Sequence, residues 1–256
     1  MAETPTTRKA PPAASPRKAT TEKATTEKAE RKNKALLAEP EKRVLRWVAA
    51  RLPQSITPDH LTLLALFGAA LTAAGYTLAN HAEGYLWLAS AGLVVHWFGD
   101  SLDGTLARVR KIERPKYGFY VDHLADGVAT AMIGLGLGFS PYMLLAVGLA
   151  IVVGYLILSI NIYLETITQA TFRFDYGVVG PTEARILLIL LNTAALLIGP
   201  NEFSVPSITG RPLVMTPFDI VGIAGSLGMV ALLGRRLRRN LRVLGELEPA
   251  GGRKND

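Results

Sequence analysis

The chain has 256 residues and a formal net charge of +7, and 49% of its residues are hydrophobic, which gives a mean hydropathy of +0.25. A soluble domain of this length is less apolar, so the composition favours a membrane protein. The lack of cysteine excludes disulfides, zinc–thiolate sites and iron–sulfur clusters. The basic residues cluster outside the apolar runs and do not alternate with aromatic ones. This pattern favours an anionic membrane surface and argues against a nucleic-acid partner.

The first part of the chain, residues 1–34, is rich in Thr, Ala, Lys, Glu and Pro and has almost no large apolar side chains. It cannot bury enough apolar surface to offset its ordering entropy, so we predict a disordered basic tail. Residues 35–56 form a different pattern, with one apolar helical face and basic side chains over much of the rest. That face consists of Val44, Leu45, Val48 and Leu52. The pattern predicts an amphipathic helix in the lipid headgroup region, and a helix packed on a soluble partner is the alternative.

A membrane domain is predicted over residues 57–243, because Thr57-Pro58-Asp59 has the features of a helix start and apolar runs follow. Each run is close to the length that a bilayer requires. The predicted spans are residues 60–78, 84–108, 118–139, 141–169, 182–197 and 217–233. Residues 244–256 are predicted to form a disordered C-terminal tail. The expected fold class is therefore all-α and integral to the membrane, with six transmembrane helices preceded by an amphipathic interfacial helix.

The basic residues concentrate on one side of this predicted topology. They lie in the N-terminal region, in residues 108–116, in the loop between the fourth and fifth spans, and in residues 235–242. On the opposite side, residues 80–84 and 139–141 contain no lysine or arginine. The positive-inside rule therefore predicts that both termini face the cytoplasm, in the cytoplasmic (inner) membrane.

Two predicted spans carry carboxylates: Asp100 and Asp103 lie in the second, and Asp122 and Asp126 in the third. An acid inside a membrane is costly unless it is paired, so such residues are functional by default. Spacings of three and four residues place each pair on one helix face, and the short loop makes the two spans antiparallel neighbours. Four carboxylates then converge in the cytoplasmic half of the membrane. Oxygen ligands without sulfur select Mg²⁺ or Mn²⁺.

Salt bridges to Arg108, Arg110 or Lys111 are the alternative for any one of these acids, although few basic residues lie at matching depth for all of them. Two glycines, Gly104 and Gly118, remove side chains beside the acids and let a bulky ligand approach the backbone. Arg108 lies one turn past Gly104 and can hold a phosphate. The set suits a pyrophosphate substrate bridged by two metal ions.

These residues form one string, Asp100-x2-Asp103-Gly104-x2-Ala107-Arg108-x9-Gly118-x3-Asp122-x3-Asp126. The string resembles the signature of the CDP-alcohol phosphatidyltransferase family at every fixed position, and the interfacial helix and the spans extend the resemblance over residues 36–242. The resemblance implies that the four carboxylates hold two Mg²⁺ or Mn²⁺ ions, with Asp126 also acting as general base on an acceptor hydroxyl. It further implies nucleotide contacts from Gly104, Ala107, Arg108 and Gly118.

The implied activity is transfer of a phosphatidyl or phospho-alcohol group from a CDP-linked donor to a hydroxyl acceptor, with release of CMP. Members of the family make phospholipids in membranes and many are homodimers, so a homodimer is expected. The donor stays open between CDP-diacylglycerol, used with a small alcohol or alcohol phosphate, and CDP-choline or CDP-ethanolamine, used with diacylglycerol. The short chain favours the first route slightly.

Three candidates for acceptor binding or for support of the acids resemble the choline/ethanolamine phosphotransferase branch. His123 follows Asp122, and its alternative is a histidine that faces lipid headgroups or a neighbouring helix. Glu183 and Arg185 begin the fifth span. Their alternatives are a first-turn acid favoured by the helix dipole and a snorkelling anchor.

Asn161 and Glu165 are further candidates, one turn apart late in the fourth span; they line the same cavity or cap a helix end. Two hypotheses of another class remain. A divalent-cation transporter also has intramembrane acids, but it needs polar groups through the full membrane depth, and residues 84–95 and 129–139 are mostly apolar. A catalytically silent scaffold predicts that loss of Asp126 is harmless.

Overall fold

The computed structural model describes residues 38–169, 180–206 and 212–248, and these residues are almost entirely helical. The helices are α1 (Ala38–Ala49), α2 (Pro58–Leu78), α3 (Tyr85–Arg110), α4 (Pro115–Gly138), α5 (Leu145–Gln169), α6 (Pro181–Ile198) and α7 (Pro217–Leu247). Two short antiparallel strands, β1 (Phe203–Val205) and β2 (Leu213–Met215), pair with Ser204 opposite Val214. The predicted all-α class is confirmed.

Two of the predicted segments extend beyond the described residues. The N-terminal tail, residues 1–34, lies outside them. Helix α7 continues to Leu247, and so enters the stretch predicted as a C-terminal tail. The rest of that tail, like the loop between α5 and α6, also lies outside the described residues.

Each of the six long helices α2 to α7 overlaps one of the six predicted spans, although α7 extends well beyond residue 233. Four of them, α2, α5, α6 and α7, are long and apolar enough to cross a membrane, which makes this an integral membrane protein. Helices α3 and α4 are of similar length, but each contains two of the aspartates described above, which lower its hydropathy. The described residues thus show four spanning candidates, and membrane crossing by α3 and α4 stays a prediction.

Four of the long helices, α2, α4, α6 and α7, begin at proline, where the missing N–H is not needed. In α2 the Thr57 hydroxyl accepts a bond of 3.3 Å from the His60 amide, and the His60 ring accepts one from the Thr57 amide. In α7 the Thr216 hydroxyl caps Phe218 N, and the Asp219 carboxylate caps Thr216 N. These reciprocal caps satisfy backbone donors that have no partner within the helix. They explain why the helices begin at these residues.

Helices α2 and α3 approach closely enough for their backbones to touch. A Cβ atom added to Gly68 would lie 2.3 Å from the backbone nitrogen of His96, and one added to Gly99 would lie 2.5 Å from that of Ala65. Gly75 and Gly92 make equally close contacts farther along the pair. Small residues are the usual means of close helix approach in membranes. The two helices are therefore in close backbone contact along most of their length.

The remaining helices pack around this pair. Helix α4 contacts α2 and α5, α5 contacts α7, and both α6 and α1 contact α3. A Cβ atom added to Gly134, Gly136 or Gly138 of α4 would lie 2.5–3.2 Å from Val152, Ala73 or Leu145, so these glycines allow α2 and α5 to pack closely on α4.

Helix α1 buries part of its apolar face on the bundle. Leu45 and Ala49 pack with Leu61, Leu102 and Leu106. Val44 and Trp47 are exposed, at 55% and 59%. One side of α1 is therefore held by protein, and its position at the lipid headgroups stays a prediction.

We predict that Gly99→Ala destabilises the fold, because the added methyl group meets the α2 backbone, which cannot move aside as a side chain can. Overpacking of this kind costs about 1–3 kcal/mol. The measurement is the melting temperature of the detergent-solubilised protein. Gly225→Ala is the matched control, since a Cβ there meets no atom within 4 Å. An equal melting temperature for both variants would contradict the observed α2–α3 packing.

Candidate active site

The four acids of α3 and α4 lie close together at the end of the bundle that carries the α3–α4 loop. Asp126 interacts electrostatically with both Asp100 and Asp122. Asp103 interacts with both Asp122 and Asp100. Spacing within each helix places its two acids on one face, and α3 and α4, which both pack on α2, bring the two pairs together. The expected extensive packing of α3 directly against α4 is not observed among the described residues, because α2 lies between them over much of their length.

Asp103 is held from two directions. Thr62 of α2 donates a hydrogen bond of 2.8 Å to Oδ2, and the backbone N–H of Gly104 donates one of 2.5 Å to Oδ1. The side chain is 8% exposed, so these donors replace much of its water. Thr62 reaches the acid because the α2 and α3 backbones lie so close.

Asp100 pairs with an arginine from α6. Arg185 Nη2 lies 2.7 Å from Asp100 Oδ2 and 3.0 Å from His96 Nε2. The other ring nitrogen of His96, Nδ1, lies 3.0 Å from the carbonyl oxygen of Ala65. That arrangement assigns the proton to Nδ1, so that Nε2 accepts from Arg185. The Arg185 side chain is only 12% exposed, and its head lies among the acids and not at a lipid surface.

His123 lies inside the cluster. Its Nδ1 is 3.1 Å from Asp122 Oδ2, and its side chain is 8% exposed. The ring lies between Phe119 and Tyr163, at centroid distances of 4.2 and 5.5 Å. The aromatic contacts fix the ring, and the ring in turn orients the Asp122 carboxylate.

The donor set fits a hard divalent cation. Ligand atoms of Asp122, His123 and Asp126 lie within 4.8 Å of one another, a separation that one ion can bridge. Four carboxylates with Arg185 as the ion-paired base leave an excess of negative charge in an apolar setting. Oxygen-rich ligands with a single imidazole are typical of Mg²⁺ and Mn²⁺ sites.

Two basic residues at the end of α3 and in the α3–α4 loop do not contact the acids of the cluster but bind other segments. Arg110 donates hydrogen bonds of 2.6, 2.8 and 2.8 Å to the carbonyl oxygens of Ile56, Leu52 and Pro53. Arg114 pairs with Asp59 at 2.7 Å. These contacts tie the loop to the α1–α2 connection.

The space predicted at the two glycines is present. A Cβ on Gly118 would meet no atom within 4 Å, and the three atoms nearest to one on Gly104 would all belong to the guanidinium group of Arg108, with Nη1 at 3.3 Å. Arg108 bends back to donate a hydrogen bond of 3.1 Å to Thr105 Oγ1. Ala107, on the same helix, is half-buried. A ligand at Gly104 would therefore displace only the flexible end of one side chain.

Two of the candidate carboxylates make contacts that stabilise helices. Glu183 accepts a hydrogen bond of 3.0 Å from Gly180 N and so caps its own helix, which matches the first-turn alternative. Glu165 is 3% exposed and accepts bonds from Arg236, Arg239 and Asn240 of α7. Asn161 has a buried Oδ1 with no hydrogen-bond partner among the described residues.

Three residues around the acid cluster were not among the sequence candidates: Thr62 and His96, and Glu41 of α1, which accepts a hydrogen bond from Ser101 beside Asp100. His96 precedes Asp100 by four residues and so shares its helix face, which is a signal the sequence does contain. Thr62 and Glu41 lie on other helices, and nothing in their own segments indicates that they contact α3.

The fold and the site define a class: an integral membrane protein with a carboxylate cluster suited to a divalent cation, beside open space at two glycines. The family model for CDP-alcohol phosphatidyltransferases matches residues 55–224, which include all four acids. The chain therefore belongs to the CDP-alcohol phosphatidyltransferase family, and the resemblance is confirmed. Members transfer phospho-alcohol groups from CDP-alcohols in phospholipid biosynthesis. Among curated proteins, none matches the chain in sequence.

We predict that Glu165→Ala lowers stability by about 3 kcal/mol, since it removes the carboxylate partner of buried Arg236. The measurement is the melting temperature. Adding Arg236→Leu to Glu165→Ala should recover much of the loss, because no buried charge is then left without its partner. Glu202→Ala, at an exposed glutamate, is the control. Full stability of Glu165→Ala with lost activity would instead favour the acceptor role.

Proposed function

We propose that this protein transfers a phosphatidyl group from CDP-diacylglycerol to the hydroxyl of a small alcohol or alcohol phosphate and releases CMP. Two Mg²⁺ or Mn²⁺ ions would be held by Asp100, Asp103, Asp122 and Asp126. The observation that carries the proposal is the convergence of these four carboxylates, in the order and spacing of the family signature, beside open space at Gly104 and Gly118.

When bound, the ions supply charge neutralisation for the pyrophosphate and for the departing CMP. The protein keeps their ligands in place through contacts from three helices, α2, α4 and α6. Thr62 holds Asp103, Arg185 holds Asp100, and His123 holds Asp122. Fixed ligands need little rearrangement during the reaction, which is how such sites stabilise developing charge.

Asp126 acts as general base in this proposal. It removes the proton of the acceptor hydroxyl, whose oxygen then attacks the phosphorus distal to cytidine. The bond from that phosphorus to the bridging oxygen breaks, and CMP leaves with the electron pair. Gly104, Ala107 and Gly118 provide the surface for the nucleotide, and Arg108 turns from Thr105 towards its phosphates.

A groove between α2 and α4 supports a lipid substrate. Its volume is about 340 Å³, and its walls are mostly aliphatic. The lining residues are Asp59, Thr62, Leu63, Leu66, Tyr117, Val121, Leu124, Ala125 and Val128. Thr62 belongs both to this wall and to the hydrogen bond with Asp103, so the groove leads to the acids. An acyl chain in the groove would bring its headgroup to the reacting centre.

The donor and acceptor are the open part of the proposal. The six long helices and the short chain favour the CDP-diacylglycerol route. The Asp122-His123 pair resembles the branch that joins CDP-choline or CDP-ethanolamine to diacylglycerol, which is the second candidate. Both routes place a glycerolipid and a cytidine nucleotide at the same acids.

The proposal includes six membrane crossings, with the site and both termini on the cytoplasmic side of the inner membrane. Backbone contact with α2 along its length supports the same depth for α3, and Gly136 of α4 touches Ala73 of α2. The distribution of basic residues supports the orientation. A homodimer is proposed from the family resemblance.

Asp126→Asn is expected to fold and bind metal but to lose turnover by at least a thousandfold, because an amide cannot accept the proton. This is the scale of a general base together with charge stabilisation. The measurement is CMP release, with the melting temperature and Mn²⁺ binding by electron paramagnetic resonance as folding and metal readouts. Glu202→Gln, at an exposed carboxylate outside the site and the groove, should keep its activity. Normal turnover of Asp126→Asn would remove the general-base assignment.

A screen of purified protein decides the substrates. We expect CMP release with Mg²⁺ or Mn²⁺ from CDP-diacylglycerol plus one of several acceptors: glycerol phosphate, inositol, inositol phosphate, serine or choline. CDP-choline and CDP-ethanolamine with diacylglycerol form the second arm. CMP release only in this second arm would favour the second route over the first. No release in either arm, in metal-loaded protein of normal stability, would contradict the proposed function.

A further inference from the structure

One carboxylate of α1 connects this helix to two others. Glu41 Oε1 accepts hydrogen bonds from Trp97 Nε1 at 2.7 Å and Ser101 Oγ at 3.3 Å, both on α3. The hydroxyl of Thr182, in the first turn of α6, lies 3.0 Å from Oε1 and 3.2 Å from Oε2. Glu41 is half-buried. A single side chain on the predicted interfacial helix thus joins α1, α3 and α6.

Each donor to Glu41 is close in sequence to a residue of the acid cluster. Trp97 follows His96, and Ser101 follows Asp100. Thr182 precedes Arg185 by three residues, one turn along the same face of α6. The hydrogen bonds from these three donors therefore link α3, which supplies Asp100, to α6, which supplies Arg185.

Arg185 depends on that position. It is the residue of α6 that pairs with Asp100, at 2.7 Å, and it bonds His96 in the same place. A rotation or outward shift of the first turn of α6 would separate its guanidinium group from both partners. The Glu41–Thr182 hydrogen bond, one helical turn before Arg185, opposes such a shift.

We infer that Glu41 is a positioning residue, which holds the first turn of α6 against α3 so that Arg185 remains on Asp100. The effect of Glu41 on catalysis rests on the proposed function, whereas its effect on the position of α6 does not. Helix α1 thereby becomes part of the catalytic assembly and not only an anchor to the membrane surface.

The position of α1 itself does not depend on Glu41. Leu45 and Ala49 are buried against Leu61, Leu102 and Leu106 and hold α1 on the bundle by apolar contact. Removing the carboxylate should therefore leave α1 bound and release only its polar connections to α3 and α6. This separation allows the inference to be tested in folded protein.

The positional test uses the absence of cysteine from the chain. Nitroxide labels on Ala184→Cys and Val109→Cys, both at exposed positions, measure the distance from the start of α6 to the end of α3 in lipid nanodiscs. Glu41→Ala and Thr182→Val should each broaden or shift the distance distribution, and Glu41→Gln should give a smaller change. Ser101→Ala is the control, because it removes one bond to Glu41 but leaves the α6 connection.

The functional test is CMP release from CDP-diacylglycerol, or from CDP-choline if the screen selects that donor. Glu41→Ala and Thr182→Val should each lower kcat/KM about tenfold, the size expected for one hydrogen bond to a charged group. The double variant should lower kcat/KM little more than either single variant, because both substitutions remove the same hydrogen bond. In an Arg185→Ala background, Glu41→Ala should have no further effect, whereas a purely structural role would still lower activity there.

Unchanged distances in both Glu41→Ala and Thr182→Val would overturn the inference, and so would an equal effect of Ser101→Ala. If Glu41→Ala does not fold, Thr182→Val and Glu41→Gln carry the same test. A wild-type protein that releases no CMP would contradict the proposed function alone, because the label distances do not depend on activity.

Discussion

Four negative charges held close together inside a bundle of apolar helices are the constraint on which the rest of this structure depends. Such charges repel one another and lose their hydration, so each needs a fixed partner or a bound cation. Thr62, Arg185 and His123 hold three of the acids, and they come from α2, α6 and α4. The site is thus the point at which α2 and α6 are tied to α3, while His123 fixes Asp122 within α4.

The close packing of α2 and α3 and the organisation of the site are one feature. The backbone of His96 lies against Gly68, and the backbone of Ala65 lies against Gly99. Because the helices touch, the Ala65 carbonyl reaches His96, and Thr62, one turn earlier, reaches Asp103. A larger side chain at either glycine would separate the acids from the groups that orient them. Packing and chemistry therefore constrain the same residues.

Much of the fold could be predicted from periodicity and spacing. The helix start at Thr57, the positions of six long helices and the pairing of acids within α3 and α4 follow from patterns inside one segment. The family signature, confirmed over residues 55–224, follows from the same spacing. Other roles could not be found in this way. Arg185 had a snorkelling alternative that its contact with Asp100 argues against, and Glu165 gave no sign of its pairing with α7.

The sequence by itself determined which segments are helical, which helices are apolar enough to span a membrane, and which carboxylates share a face. These properties depend on neighbours within about one helical turn. Only the tertiary structure decided that Thr62 holds Asp103, that Arg185 meets Asp100 and His96, and that Glu41 joins α1 to α6. Those contacts depend on how helices far apart in sequence rotate and cross. Side-chain packing across the whole bundle sets that geometry, and no single segment encodes it.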